Sequence, residues 1–536
     1  MTGGDPQGNA AEDLAAQALE WKPAVNPFII ALTVMLATFM EVLDTSVANV
    51  SLPHIAGNLS ASIDESTWVL TSYLVSNAIV LPLSGWFSAL FGRKRFYMTC
   101  VFLFSCSSLL CGLAPNLGSL VFFRVLQGIG GGALQPVSQA ILFESFPRHR
   151  RGMAMAFYGM GVVLAPIIGP TLGGWITDSF SWRWIFLINV PVGAISMSLT
   201  ALLIFDPPYL VRKSLRTGLK IDYVGLGFLC VGLGCLQVLL DKGEREDWFE
   251  SRWIVEMSVL AAIGLVGAIF WELRQKDPMV ELRLLRDRNF ALATLIMFML
   301  GVVLYGSTVL LPIFLQTLMG YTAMLSGLVL SPGGLVVLFA MPLVGRLVSR
   351  YEARWLVMFG LTMASFSLFY MARFNLNVDF HTAVASRMIQ GLGMAFLFVP
   401  VNTVAFYFIP REKMSNATGI INLARNIGGG FGIAVVTTIL SRHTQTHLSV
   451  LTEHASLYNP AYRIALQGAT QTLIQHGVAS AQAAAQAPGL IYGLIQRQAA
   501  MLAFIDAFRL LGSAFFLMTP LIFLMKKAKP QRKPGG

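Results

Sequence analysis

Two carboxylates, Glu41 and Asp44, interrupt the apolar run that starts the hydrophobic part of this chain, in Ala37-Thr-Phe-Met-Glu-Val-Leu-Asp-Thr-Ser. Three residues apart on a helix, they share one face. A carboxyl group in a low-dielectric cavity can exchange its proton near neutral pH, and two neighbouring acids titrate as a pair. The chemistry on offer is proton carriage. A second unusual feature is an arginine in an equally apolar stretch, Arg124-Val-Leu-Gln127-Gly128-Ile-Gly130. Arginine keeps its proton, so its work would be to bias a nearby acid and exchange partners during a cycle. A static helix-to-helix hydrogen bond is the plainer alternative, and a structural bridge to Arg124 is the plainer alternative for Glu41. The arginine motif recurs 263 residues later as Arg387-Met-Ile-Gln390-Gly391-Leu-Gly393. An arginine at hydrocarbon depth costs a few kcal/mol at least and marks a pathway or a pairing.

The elements that hold these residues must be membrane helices. Of 536 residues, 55% are hydrophobic and 12% charged, about half the charged share of a soluble protein. With about 20 apolar residues needed per crossing, fourteen spans begin near residues 27, 67, 95, 117, 152, 184, 222, 252, 290, 325, 355, 380, 416 and 503. The net charge of +11 sits in short loops, which suits positive-inside topology rather than nucleic-acid binding. With both termini inside, 26 of the 38 Lys and Arg fall on the inner side, eight on the outer side and four in spans. Both termini are therefore expected in the cytoplasm. Residues 1–26 lack a signal-peptide pattern, so the first span is expected to be retained. The five cysteines fall in apolar segments without flanking histidines; neither disulfide, metal site nor cofactor is expected. No nucleotide loop or nucleophile–base pair suggests an enzyme.

Three landmarks repeat at a nearly constant offset: Arg124/Arg387 at 263, Gly85/Gly345 at 260 and Pro53/Pro312 at 259. The expected division is a tail (1–26), a six-helix bundle (27–206), a linker with two inserted spans and an external loop (207–275), a second six-helix bundle (276–525) and a basic tail (526–536). Parallel repeats rock around a central site. The halves differ chemically, because the Pro53/Pro312 offset places Leu300 and Val303 where Glu41 and Asp44 stand. Proton handling is thus assigned to the N-terminal half, and Arg387 and Gln390 to structure. In the fifth span Gly161, Ala165, Gly169 and Gly173 form a small-residue strip at four-residue spacing, with Pro166 and Pro170 permitting a bend. The strip suits close packing alone, or a gate between the halves. Asn422, Arg425 and Gly428–Gly430 repeat this logic more weakly in the thirteenth span. Residues 441–502, rich in Gln, Ala and His, read as an external, partly helical cap too polar to span; a poorly ordered loop is the alternative.

These motifs together resemble the major facilitator superfamily, in particular its fourteen-span drug:proton antiporters of the EmrB/QacA type. Leu43-Asp44-Thr45-Ser-Val-Ala-Asn49-Val-Ser-Leu-Pro53 is similar to that family's first-span motif, and Arg124-x-x-Gln127-Gly128 to its fourth-span motif. Gly161 through Gly174 is similar to the antiporter motif, and Ser-Trp182-Arg183-Trp184-Ile-Phe-Leu-Ile-Asn189-Val-Pro191 to another segment. The long segment before the last span is more like the EmrB branch. The resemblance implies an all-α polytopic fold of two six-helix halves plus two inserted helices. It also implies proton-coupled export of toxic amphiphilic compounds from a bacterial inner membrane, with a periplasmic adaptor protein and an outer-membrane channel as partners. A dedicated exporter of one metabolite or siderophore, or a transport-inactive receptor, are the alternatives. Scarcity of membrane acids beyond Glu41 and Asp44 points to neutral or acidic aromatic substrates. One departure stands out: Ala89 and Ser349 replace the acid usual in the loop motif, which leaves Arg93, Lys94 and Arg95 to act through topology and lipid phosphates.

Overall fold

The computed structural model describes residue 23, residues 25–207 and residues 222–527. Residues 1–22 and 528–536 and the basic loop Arg212–Lys220, on which part of the charge count rests, lie outside the described residues. Among the described residues, thirteen helices are long and apolar enough to cross a membrane. A fourteenth span consists of Arg151–Pro166 and Ile168–Ser179, bent by 43° at the proline-flanked Ile167. Two prolines four residues apart remove successive backbone donors, which is where such a bend is cheapest.

In chain order the N-terminal half comprises span 1 (Pro27–Val50), span 2 (Trp68–Phe91), span 3 (Arg93–Gly112), span 4 (Leu117–Ser145), span 5 (Arg151–Ser179) and span 6 (Trp184–Leu203). The inserted pair is span 7 (Tyr223–Lys242) and span 8 (Arg252–Arg274). The C-terminal half holds span 9 (Arg288–Thr317), span 10 (Ala323–Val348), span 11 (Ala353–Met371), span 12 (Phe380–Ala405), span 13 (Met414–Glu453) and span 14 (Ser480–Met518). Thirteen of the expected starts lie within two residues of these. The exception is span 14, whose helix begins 23 residues before the expected 503. Its early part is polar, so hydropathy alone could not reveal that the helix extends beyond its apolar portion.

Local signals start several of these helices. Asn116 caps span 4, accepting from the Ser119 backbone N–H at 2.9 Å in a capping box. Asp379, 263 residues on, caps span 12. Glycines then set which spans touch. The small-residue strip of span 5 lies against span 1: a Cβ on Gly161, Gly169 or Gly173 would come within 2.8 Å of Met35, Ser46 or Val47. The strip therefore packs span 5 against span 1 within the N-terminal half. Pro170 cannot supply the N–H that would bond the Pro166 carbonyl, and Ser46 Oγ donates to that carbonyl instead at 3.3 Å. In the C-terminal half the equivalent pair is span 9 with span 13, where Gly428 and Gly432 meet the Phe298 and Val302 carbonyls.

The two halves meet along two seams. On the face carrying the basic short loops, Gly85 of span 2 abuts Asn416 of span 13, and Gly345 of span 10 abuts Gly152 of span 5. Spans 7 and 8 pack on each other through Gly232 and Gly264, and span 7 leans on spans 2 and 13. Its exit is anchored, since Asp241 accepts from Thr71, Lys242 donates to Thr67, and Trp248 Nε1 donates to Thr438 at 3.0 Å. The connection 241–252 is thus docked rather than a free surface loop. Residues 441–502 are largely helical: span 13 continues to Glu453, a separate helix covers Pro460–Gln475, and span 14 begins at Ser480.

Candidate functional site

Asp44 is the centre of a buried cluster made by spans 1, 2, 4 and 6. Arg124 Nη1 donates to Asp44 Oδ2 at 2.5 Å, while Gln127 Nε2 and Asn189 Nδ2 donate to Oδ1 at 2.9 and 2.8 Å. Arg124 also donates from Nε to the Val69 carbonyl at 3.0 Å and from Nη1 to Gln127 at 2.9 Å. Its guanidinium lies 4.3 Å from the Tyr73 ring centroid and 5.5 Å from that of Phe186, close enough for cation–π attraction. Asp44, Arg124 and Gln127 are all buried. Such a pair needs its remaining lone pairs satisfied to survive in low dielectric, and the two amides do that for one carboxylate oxygen. Gly128 makes the approach possible, because a Cβ there would lie 2.0 Å from Ser76 Oγ and 2.5 Å from the Tyr73 carbonyl.

Glu41 does not join this pair. It turns toward the middle of the molecule, accepting from Gln135 Nε2 at 2.6 Å, Tyr73 Oη at 3.1 Å and Asn77 Nδ2 at 3.2 Å. The same Gln135 accepts, through its side-chain oxygen, from Arg425 of span 13. One amide of span 4 therefore links the acid of the N-terminal half to a buried arginine of the other half. The Arg425 guanidinium is buried beside the Tyr158 hydroxyl, and the Phe398 ring lies 5.9 Å from the guanidinium carbon. One turn further along span 4, Gln139 donates to Asn402 at 2.7 Å and accepts from Asn422 at 2.7 Å. Gln139 and Asn402 stand 263 positions apart, so counterparts in the two repeats bond to each other.

The second arginine motif is built differently. Arg387 donates to Gln390 at 2.5 Å, to Thr308 at 3.0 Å and to Ser307 at 3.4 Å, and Gln390 donates to Ser307 at 2.9 Å. Leu300 and Val303, the expected counterparts of the two acids, are buried, but the bonding moves the match by four residues. Ser307 accepts from Arg387 and Gln390 at the sequence separations, 80 and 83, that relate Asp44 to Arg124 and Gln127, so the counterparts are Leu304 and Ser307. Hydroxyls take the place of a carboxylate here.

Residues 34–433 match the Major Facilitator Superfamily domain. The "Multidrug export protein EmrB" of Haemophilus influenzae is 39% identical over 433 residues, 81% of this chain and 84% of that protein. The "Fatty acid resistance protein FarB" of Neisseria gonorrhoeae is 36% identical over 526 residues, 98% of each. The chain belongs to the major facilitator superfamily, in its EmrB-type branch. Among solved major facilitator structures, that of the human organic anion transporter MFSD10 superposes with a TM-score of 0.61, covering 93% of this chain at 12% identity; at that identity the likeness is one of fold.

Measured against this major facilitator framework, the expected site divides. Asp44, Arg124 and Gln127 come together, and Asn422 and Arg425 reach the same belt from the other half. Asn49 does not: it is exposed near the end of span 1, and five residues from Asp44 it points about 140° away around the helix. The bridge from Glu41 to Arg124 is not made. The basic cluster after span 2 also has a firmer role than topology, despite Ala89. Arg93 pairs with Glu144 at the end of span 4, both buried, and Lys94 donates from its backbone N–H to Asp206 at 2.8 Å. Tyr73, Asn77, Gln135 and Gln139 carry no weight in the sequence reading. Neutral polar residues inside spans 2 and 4 are the signal that could have found them, since such groups in lipid are placed where partners exist.

Proposed function

We propose that this chain is a proton-driven antiporter that exports amphiphilic organic compounds, including toxic ones, from the cytoplasm across a bacterial inner membrane. Both termini face the cytoplasm, as the loop charge bias favours. Asp44 is the proton carrier and Arg124 the fixed cation that holds its anionic form; protonation of Asp44 frees Arg124 to take another acceptor. Glu41 is a second acid whose occupancy is communicated to the other half through Gln135. The observation that carries this reading is the chain Glu41–Gln135–Arg425, a continuous buried bond path from a titratable acid to the opposite half. A proton arriving at Glu41 weakens its pull on Gln135 and so changes what Arg425 holds.

Substrate occupies the region between the halves near Arg425, Phe398 and Tyr158. The buried guanidinium there favours neutral or acidic aromatic and amphiphilic molecules over organic cations, in keeping with the fatty acid resistance that names the gonococcal relative. The helical extensions of spans 13 and 14 support a further role as docking surface for a periplasmic adaptor that leads to an outer-membrane channel. The decisive measurement is proton flux in everted vesicles challenged with a compound panel, wild type beside Asp44→Asn. Compound-driven proton release is expected from the wild type alone. Equal flux from Asp44→Asn, at equal amounts of protein in the membrane, would remove Asp44 from the coupling path.

A further inference from the structure

On the face opposite the basic loops, span 13 runs past its apolar part and presents His443 and His447 one turn apart, on one side of the helix. Asp506 of span 14 stands between them. Its Oδ2 lies 2.9 Å from His443 Nδ1 and 2.8 Å from His447 Nε2. The three candidate ligand atoms all lie within 4.8 Å of one another. The other oxygen, Oδ1, is 3.9 Å from Arg509 Nη1, a loose and exposed pairing that leaves Oδ2 directed at the imidazoles.

We propose that His443, His447 and Asp506 form a binding site for a divalent transition-metal ion of the zinc class, clamping the extension of span 13 to span 14. The ligand set has the right chemistry, because two neutral imidazoles and a carboxylate suit zinc and leave a fourth position for water. The geometry is close to what an ion needs. Ligand atoms each about 2.1 Å from a tetrahedral centre are roughly 3.4 Å apart. The two His–Asp distances are slightly shorter than this, and small side-chain rotations open them. Solvent can reach the site, since the His443, His447 and Asp506 side chains are 48%, 29% and 28% exposed. Placement gives the ion something to do. It would join two helices that the chain connects only through residues 454–479, and so fix the base of the helix Pro460–Gln475, which packs on span 14. The absence of a metal expected from the cysteines does not extend to these residues, whose third ligand lies 59 residues beyond the second in the chain.

The test uses the full chain in detergent, without a polyhistidine tag, stripped with EDTA and dialysed against micromolar zinc. Elemental analysis of the wild type is expected to find about one zinc per chain, and the ion to raise the unfolding midpoint. His447→Ala and Asp506→Asn are expected to lose both effects. His447→Gln, which keeps a side-chain amide able to bond Asp506, guards against a folding defect, and it too should bind no zinc while remaining monodisperse. Cobalt provides an independent readout, with visible d–d bands expected only from the wild type. The proposal is overturned if the wild type binds no zinc, or if His447→Gln binds as much as the wild type. It is equally overturned if the wild type's advantage in stability is unchanged by EDTA, for then the cluster is held by hydrogen bonds alone.

Discussion

Span 4 and span 12 carry the same Arg-x-x-Gln-Gly-x-Gly motif, yet only one of them meets an acid. Arg124 ends on a carboxylate and Arg387 on two hydroxyls and an amide. The backbone arrangement is shared, since glycines allow close approach in both: Gly128 to span 2, and Gly391 to Gly333 of span 10. Duplication has kept the packing and released the chemistry. The same asymmetry appears near the basic face. Arg93 reaches across to buried Glu144 of span 4, whereas Arg354, its near counterpart, pairs with its own neighbour Glu352.

The largest expected contrast is in transport. Arg124→Gln should abolish compound-driven proton flux in vesicles, while Arg387→Gln should leave most of it, at matched protein levels. Equal loss in both would break the division of labour between the halves. Next comes a transplant: Ser307→Asp places an acid at the position matching Asp44, within reach of the buried Arg387 and Gln390. The substitution should be tolerated with Arg387 present but not together with Arg387→Gln. The difference is on the order of 3–5 kcal/mol, the usual cost of an uncompensated buried charge, read as folded yield and detergent unfolding. A similar cost, roughly 3–5 kcal/mol, is expected for Arg93→Gln, which strands Glu144; Arg354→Gln should cost about 1 kcal/mol or less, by the same unfolding assay.

The smallest effect separates the caps. Asp379 lies outside the membrane-spanning segment, and its carboxyl is held below the ordinary range mainly by the Thr382 hydroxyl. Its cap is therefore fully made above the ordinary aspartate pKa and lost as pH falls through the lowered value. Asn116, the counterpart on span 4, does not titrate. Hydrogen exchange followed as the pH is taken below the ordinary aspartate range should show the first turn of span 12 loosening relative to neutral pH, after correction for intrinsic rates, and that of span 4 unchanged.

Much of this was legible because charge stands out in apolar sequence. Glu41, Asp44, Arg124 and Arg387 break long hydrophobic runs, and the 263-residue offset relates the two halves in the sequence itself. Their partners were harder to read. Asn189 sits within a recognisable motif without any mark that it bonds an aspartate 145 positions away. Gln135 and Gln139 are ordinary amides in span 4, and only the packing of two bundles gives them opposite neighbours. The strip of small residues in span 5 announced a close contact but could not say with which helix, since span 1 and the other half are equally compatible with small side chains. The extension of span 14 escaped because a helix outside the hydrocarbon carries no hydropathic signature.

The bond between Gln139 and Asn402 has a consequence for how the halves part. Around it the seam is composed of neutral amides and of glycines in backbone contact, while the strong ion pairs Asp44–Arg124 and Arg93–Glu144 stay within one half. A neutral hydrogen bond contributes only about 1 kcal/mol net, and an amide exposed by separation is promptly hydrated. Opening toward the basic face therefore wets a surface on which one charged group, Arg425, parts from a cross-seam partner, the neutral Gln135. Reversible wetting of that strip is what a transporter cycling many times between two states requires.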